Sequence, residues 1–265
     1  MPIVFSAIVP HPPVLVPEIG KDNLEKIAKT ADALVELEQA LYAAKPESLV
    51  VIAPSEKILD DAFNINFNPS YTATFKKFGD FTVEFKYRSD YLTIQEIRAG
   101  DESHTQVPIV LTSEEELGHE FSVPLFALTS HLKDLPVIPI TYSKLDAAQH
   151  FAFGQFLHRE LSKIDKRFAV IASADLSNKL TKDAPGGFSE KGVLYDRTIT
   201  KLLEDHDVQK IVSFDEALAQ ESGEYGLRAI QIFLGVIATL NVAPKVLSYE
   251  APFGVGYVVV NYEFK

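Results

Sequence analysis

The chain contains no cysteine, so it can form neither a disulfide nor a thiolate metal site, and a cysteine nucleophile is excluded. Any metal would have to be held by histidine, by carboxylates or by other oxygen donors. Tryptophan is also missing, and there is a single methionine among 265 residues. What is present is 46% hydrophobic, which is enough apolar material for a sizeable buried core.

Positive charge is scarce as well. The chain has 25 lysines and arginines against 37 aspartates and glutamates, which gives a formal net charge of -12 at pH 7. The acidic residues are spread along the chain rather than gathered in a tail, so a phosphate backbone or an anionic membrane surface would be repelled. The sequence therefore predicts neither a nucleic-acid partner nor a membrane partner.

Long hydrophobic runs are missing too. No uninterrupted apolar stretch is long enough to span a bilayer. The first residues, MPIVFSAIVPHPP, lack the basic start and the small-residue cleavage site of a signal peptide. We therefore expect a cytoplasmic protein.

Short runs rich in valine and isoleucine alternate with longer segments of helical periodicity, which is the pattern of an α/β domain. The predicted strands cover residues 3–9, 49–53, 109–111, 137–140, 168–172, 245–250 and 256–263. The predicted helices cover residues 23–42, 124–131, 147–164, 190–204 and 224–240.

Apolar residues alternate between residues 63 and 87, first at Phe63, Ile65 and Phe67, which predicts strands with one wet face in a hairpin beside the main sheet. No linker, repeat or low-complexity tract interrupts the chain. We predict one three-layer α/β domain over residues 1–265. It would have a mixed, partly parallel central sheet flanked by helices, plus a smaller antiparallel hairpin region.

Polar residues follow several of the predicted strands. Ligands collect at the carboxyl ends of strands in open α/β sheets, which makes these residues candidates for a site. They are His11 after the first strand, Ser55 after the second, His119 ahead of a helix opening at Val123 and capped by Ser122, Asp175 and Asn178 after the strand at 168–172, and Glu224 at the start of the last predicted helix.

Each candidate also has a purely structural interpretation. His11 could belong to a proline-rich surface turn, and on spacing alone this is the simpler reading. His119 could be a polar loop residue, and Glu224 could be a carboxylate that stabilises a helix N-terminus without further function. No role is assigned to the remaining histidines, His104, His131, His150, His158 and His206.

Taken together, six phrases resemble the class III extradiol dioxygenase superfamily, which comprises LigB-like catalytic subunits and the related Memo-like proteins. The phrases lie at residues 10–13, 50–55, 118–125, 173–181, 222–228 and 247–257. Each phrase is weak alone, but their order and spacing cover nearly the whole chain. The resemblance implies the family fold and a site for opening catechol-type rings with O₂ and Fe(II).

The resemblance also implies a ligand set for the iron. In the family, two histidines and one carboxylate hold Fe(II) and leave positions open for the substrate and O₂. His11 and Glu224 match the first and third ligand positions, whereas the second falls at Ser55. A neutral serine hydroxyl is a poor donor to Fe(II) beside an imidazole, so the implied metal site is degenerate.

A second departure concerns the acid or base. Asn178 stands where the family usually carries a histidine that handles the substrate proton, and an amide does not titrate near neutral pH. His119 matches a pocket histidine that lines the substrate site, and Asp175 is retained. The implied catalytic set is therefore His119, Asp175 and a substituted Asn178.

Three functions remain open. The first is a non-catalytic or repurposed member that keeps a pocket for a small aromatic molecule without stoichiometric iron, as a homodimer or with a related subunit. The second is an active Fe(II)-dependent dioxygenase in which His119 or a water completes the site. The third is a metal-independent hydrolase or phosphate-binding enzyme with Ser55 as nucleophile and Lys57 as activator, although no G-x-S-x-G motif surrounds Ser55.

Overall fold

The computed structural model describes residues 2–104, 108–132 and 134–265, with the backbone alone at residues 101–104. Its strands are β1 (Ile3–Val9), β2 (Ser48–Ala53), β3 (Phe63–Asn66), β4 (Ser70–Thr74), β5 (Glu84–Arg88), β6 (Ile109–Thr112), β7 (Glu116–Leu117), β8 (Val137–Thr141), β9 (Phe168–Ser173), β10 (Val242–Glu250) and β11 (Tyr257–Phe264). Eight of them form one large sheet in the order β10-β11-β1-β9-β2-β8-β3-β6, which confirms the predicted α/β class with a mixed sheet.

The helices cover the two faces of this sheet. They are α1 (Pro17–Gly20), α2 (Ala28–Ala44), α3 (Tyr91–His104), α4 (His119–Leu128), α5 (Ala147–Leu161), α6 (Glu190–Glu204), α7 (Val208–Val212), α8 (Glu216–Ser222) and α9 (Leu227–Ile237). The helix predicted from residue 23 begins later, because Lys21–Ile27 forms a 3₁₀ helix. None of the described helices combines the length and the apolar character that crossing a bilayer requires.

Two hydrophobic cores lie on opposite faces of the large sheet. Side chains alternate between the faces of a strand, so Val50 and Ile52 of β2 pack into the core beneath α5 and α9. Leu49, Val51 and Ala53 of the same strand pack into the core beneath α2 and α4. This strand is hydrophobic on both faces because helices cover both sides of it.

A close helix contact fixes the first of these cores. Gly154 of α5 and Gly235 of α9 face each other, and a Cβ on Gly154 would lie 2.0 Å from the carbonyl oxygen of Ile232. A side chain at either glycine would push the two helix backbones apart. His150 of α5 is buried in the same layer, against Phe63.

A separate three-stranded sheet has the order β5-β4-β7. β4 and β5 form the expected antiparallel hairpin, and β7 adds to β4 in parallel. The prediction placed Phe63 and Ile65 in this hairpin region. They lie instead in β3, which joins the large sheet antiparallel to β8. Their alternation is real, but its apolar half faces the main core.

The four central strands β1, β9, β2 and β8 run parallel, so their carboxyl ends meet at one edge of the large sheet. The loops that leave this edge carry four of the six candidate residues, namely His11, Ser55, Asp175 and Asn178.

Candidate functional site

His11 follows β1 and is 2% exposed, so the surface-turn interpretation is wrong. Pro12 and Pro13 restrict the backbone after it, and a 3₁₀ helix begins at Pro13. Burial, and then the neighbouring His119, lower the pKa of His11 from 6.5 to about 3. The imidazole is therefore neutral at physiological pH.

A chain of hydrogen bonds fixes which nitrogen of His11 carries the proton. The Ser173 hydroxyl donates to the backbone carbonyl of Glu120 at 2.6 Å, and Nδ1 of His11 lies 2.9 Å from the same hydroxyl oxygen. Because the Ser173 proton is already used, Nδ1 of His11 must be the donor. The Nε2 lone pair of His11 is therefore available to a ligand or a proton.

The Glu120 carbonyl accepts from Ser173 because it has no donor within its own helix. The residue four positions further on is Pro124, which lacks a backbone N–H. A proline inside α4 thus leaves one carbonyl to be satisfied from another element, and Ser173 of β9 does so.

Asp175 lies directly against His11. Its Oδ1 accepts from the backbone N–H of His11 at 2.9 Å, and its Oδ2 is 3.7 Å from Nε2. Burial raises the pKa of Asp175 to about 7, against the lowering effects of the His11 N–H and His119. Since His11 is neutral, the contact between the two side chains is not an ion pair at neutral pH.

A second buried acid lies near Asp175. Asp196 of α6 accepts from the backbone N–H of Ser177 and from the hydroxyl of Tyr249, both at 2.8 Å. Burial raises the pKa of Asp196 to about 7, and the charge of Asp175 adds to the rise. No sequence signal marked this residue, which lies in the middle of an ordinary helix.

His119 is the first residue of α4, so the prediction that the helix opens at Val123 is wrong. Ser122 lies inside the helix and donates to the Leu117 carbonyl, so it is not the cap. The His119 ring meets the His11 ring edge to face at a centroid distance of 5.5 Å, and Phe78 packs on it at 5.1 Å. This start of α4 brings His119 next to His11.

A cavity of about 250 Å³ opens beside His119 and is also lined by Ser55. Its other lining residues are largely polar, and they include Asn64, Asn66, Thr74, Thr141, Glu116 and Glu120. The sequence predicted strands with one wet face in this stretch without indicating that the wet face of β3 closes a cavity. In β3, Asn64 and Asn66 alternate with the apolar Phe63 and Ile65, and these polar residues line the cavity.

Ser55 is half-buried, and its hydroxyl accepts from the backbone N–H of Lys57 at 3.2 Å. The Lys57 ammonium pairs instead with the carboxylate of Glu114 at 2.6 Å. Lys57 is therefore engaged elsewhere and is not placed to activate the serine. Ser55 acts in this structure as a turn residue at the cavity wall, which removes the main support for a serine hydrolase.

Glu224 lies in the loop ahead of α9 rather than within the helix. Its Oε2 accepts from the backbone N–H groups of Gly226 at 2.8 Å and Leu227 at 2.7 Å, so the carboxylate caps the helix. Burial raises the pKa of Glu224, and these two N–H groups oppose the rise.

Asn178 lies beside Glu224, because the adjacent Ser177 forms a β-bridge with it. The buried Oδ1 of Asn178 packs over Gly186 and Gly223, where an added Cβ would lie 2.4 Å from it. Among the described residues, none hydrogen-bonds to this oxygen. The amide is therefore held by packing in the loop after β9.

The structure thus brings three of the predicted residues, His11, Asp175 and Ser55, close to His119. His11, Asp175 and His119 are in mutual contact or near it, and His119 and Ser55 share the cavity. Asn178 and Glu224 form a neighbouring pair outside the lining of that cavity. The side chain of His104 lies outside the described residues, and the histidines without an assigned role are held by other contacts, at His131, His150, His158 and His206.

The donor set does not fit the iron site of the family. No group of three or more histidine, aspartate or glutamate side chains is placed to hold a metal ion in the part of the chain that the structure describes. Ser55, which the resemblance assigns to the second ligand position, offers a neutral hydroxyl, and Oε2 of Glu224 is already bonded to two amides. The three-ligand arrangement would require these side chains to move.

Comparisons with known proteins agree on the family. A family model described as the catalytic LigB subunit of aromatic ring-opening dioxygenase matches residues 6–260. Protein CA_C1420 of Clostridium acetobutylicum is 26% identical over 268 residues, which cover 97% of this chain and 56% of that protein. This chain therefore spans a little over half the length of that relative.

A solved structure shows the same fold. Uncharacterized protein JW3007 from Escherichia coli K12 superposes with a TM-score of 0.66 at 15% identity, over 97% of this chain and 99% of that chain. The resemblance that the six phrases indicated is thus confirmed by the match over nearly the whole chain. The chain belongs to the LigB family of class III extradiol dioxygenase-like proteins.

Proposed function

We propose that this chain is a repurposed LigB-family protein that binds a small aromatic molecule beside His119 and does not cleave rings at a stoichiometric iron. The observation that carries the proposal is the state of Ser55. By the family resemblance it stands where the second histidine ligand would be, and its hydroxyl accepts a turn hydrogen bond at the cavity wall.

The other two ligand positions support the same conclusion. His11 keeps a neutral imidazole with an available Nε2, as a metal ligand would. In Glu224, by contrast, one carboxylate oxygen already accepts hydrogen bonds from the N-terminus of α9. One strong donor with one partly engaged carboxylate is too little for the open three-ligand site that O₂ chemistry at Fe(II) requires.

The groups that could handle a substrate proton are also poorly suited to ring cleavage. Asn178 cannot take a proton near neutral pH. Asp175 packs against His11 and has a pKa raised to about 7. Its carboxylate accepts a hydrogen bond from the His11 backbone, and it does not line the cavity. The pocket therefore retains groups that can bind a ring and its hydroxyls, with little to activate them.

An active Fe(II)-dependent dioxygenase is the second candidate. It is favoured by one observation, the edge-to-face contact of His11 and His119 at 5.5 Å, because it brings two imidazoles to one place. In that case His119 would replace the missing second histidine.

Metal analysis combined with oxygen uptake tests the proposal. Protein incubated anaerobically with ferrous salt and then desalted is expected to hold far less than one iron per chain. It should consume no O₂ with a panel of catechols, yet bind catechol in a calorimeter. Stoichiometric iron together with O₂ consumption would establish the second candidate instead.

The variant Ser55→His tests the proposal through a gain of function, because it should restore iron binding. Restoring an imidazole at this position is expected to raise the affinity for Fe(II) by about tenfold or more, because a neutral hydroxyl is replaced by a strong nitrogen donor. Ser55→Ala is the matched control and should bind iron as poorly as the wild type. Equal iron affinity in all three proteins would show that residue 55 does not belong to the ligand set.

A further inference from the structure

The cavity beside His119 contains a buried carboxylate with few hydrogen-bond or charge partners. Glu120 is 4% exposed, and its Oε2 lies 3.4 Å from Nδ1 of His119. No lysine or arginine among the described residues forms an ion pair with it. Buried carboxylates are normally paired or accept several hydrogen bonds, since removing a charge from water is costly. Glu120 therefore has unused capacity as an acceptor, and it lines the cavity.

Thr141 presents a second unused group to the same space. It ends β8, is 4% exposed and lines the cavity. None of the described residues hydrogen-bonds to its hydroxyl. Asn64 lies opposite it on β3, and its Oδ1 accepts from the Thr112 hydroxyl at 2.9 Å, which leaves the amide N–H groups of Asn64 for a ligand. A ligand with hydroxyl groups would find both a donor and an acceptor here.

The lysines at the rim do not neutralise Glu120. Lys57 is paired with Glu114 at 2.6 Å, and Lys77 is paired with Glu56 at 2.7 Å. Both lysine side chains are exposed, so water screens their charge. Lys77 lies within electrostatic reach of Glu120, but its ammonium is bonded to Glu56. The lining therefore carries more negative than positive charge, as does the whole chain.

We propose that this cavity binds a small molecule that carries a protonated amine. The ammonium group pairs with Glu120, and the hydroxyl groups of the ligand hydrogen-bond to Thr141 and Asn64. A volume of about 250 Å³ limits the ligand to roughly one ring with a short side chain. This inference rests on the proposed function, because it names the class of molecule that the retained pocket takes.

Calorimetric titration at low ionic strength with four probes tests the inference. Dopamine, catechol and 3,4-dihydroxybenzoate share a catechol ring and differ in charge, whereas cadaverine is a diamine without a ring. Dopamine is expected to bind about tenfold or more tightly than catechol, and 3,4-dihydroxybenzoate is expected to bind most weakly of the three. Added salt should reduce these differences.

The variant Glu120→Gln tests whether the charge of Glu120 causes the preference for dopamine over catechol. It keeps the shape of the side chain and removes the charge, so the dopamine preference over catechol should fall below about twofold. Glu36→Gln is the matched control, since Glu36 is an exposed residue of α2 paired with Lys245 at 2.8 Å. It changes the net charge equally and should retain the preference.

The outcomes separate this inference from the proposed function. Equal affinity for dopamine and 3,4-dihydroxybenzoate, or an unchanged dopamine preference in Glu120→Gln, would overturn the inference and leave the aromatic pocket standing. Cadaverine binding that Glu120→Gln abolishes, without binding of any catechol, would overturn the aromatic pocket and support the amine site. Absence of binding by all four probes would overturn both.

Discussion

The two sides of His119 differ in how their polar groups are satisfied. On one side, the buried His11 and Ser173 and the partly buried Asp175 are joined to one another or to backbone by hydrogen bonds of 2.6 to 2.9 Å. On the other side, Thr141 and Glu120 are equally buried but face a cavity with few partners.

The contrast indicates which side is structural and which is left for a ligand. Groups that satisfy one another stabilise the fold, whereas buried groups without partners cost free energy until a ligand or water satisfies them. Replacing residues on the first side should therefore change stability, and replacing residues on the second side should change binding.

The largest effect on stability is expected for Ser173→Ala. This change leaves two buried groups unsatisfied, the Nδ1–H of His11 and the carbonyl of Glu120, and each such group costs roughly 1–3 kcal/mol. We expect the free energy of unfolding to fall by about 3 kcal/mol, measured by urea denaturation.

Ser6→Ala is the control for this prediction. Ser6 of β1 is fully buried, and its hydroxyl has no partner among the described residues. Its removal should change the free energy of unfolding by less than about 0.5 kcal/mol or raise it. Similar losses in the two variants would contradict the idea that the Ser173 network is what stabilises this side.

The next effect is a pH dependence that belongs to Asp196. Its pKa is raised to about 7 in the folded protein, mainly by burial, so the folded state binds the proton more tightly than the unfolded state does. Stability from this group is complete below the unfolded pKa of about 4 and is lost as the pH rises through about 7. Ser177, Tyr249 and Asp175 are the groups that face it.

The variant Asp196→Asn isolates this term. Between pH 5 and pH 8 the free energy of unfolding of the wild type should fall by about 2 kcal/mol more than that of the variant. Denaturant titrations at both pH values measure the difference. A parallel fall in both proteins would mean that other groups, such as Asp175 with its similarly raised pKa or the many surface carboxylates, set the pH dependence rather than Asp196.

The smallest effect is expected at the cavity rim. Lys77→Met breaks the exposed ion pair with Glu56, and such pairs contribute less than about 1 kcal/mol. We expect the melting temperature to change by no more than about 2 °C. A larger loss would mean that the Lys77–Glu56 pair stabilises the fold, as the groups beside His11 do, and the two sides of His119 would then differ less.

Much of the large sheet could be predicted from sequence, because its central strands are continuous apolar runs between turns. The prediction of β1 at residues 3–9 agrees with the structure, and so does that of α6 at residues 190–204. Helix α3 was missed because Ile94 and Ile97 are the few residues that mark its buried face in an otherwise largely polar segment. The dipeptide strand β7 is too short to give any pattern.

The candidate site was predictable only in part. The six phrases located His11, Ser55 and His119 because each follows a strand or opens a helix at the ligand-binding edge. Glu120 and Ser173 stood inside two of those phrases and were passed over, since nothing in the sequence shows that a serine at the end of β9 bonds to the carbonyl of Glu120 in α4. Such partners become visible only when distant elements pack together.

The missing backbone N–H of Pro124 determines which nitrogen of His11 carries the proton. If alanine replaced Pro124, its amide could bind the Glu120 carbonyl inside α4, and the Ser173 hydroxyl would be able to rotate towards His11 as a donor. The imidazole could then exchange its two neutral tautomers, and a ligand approaching Nε2 would meet a hydrogen in part of the population. Pro124 thus determines which nitrogen of His11 is free to accept a ligand.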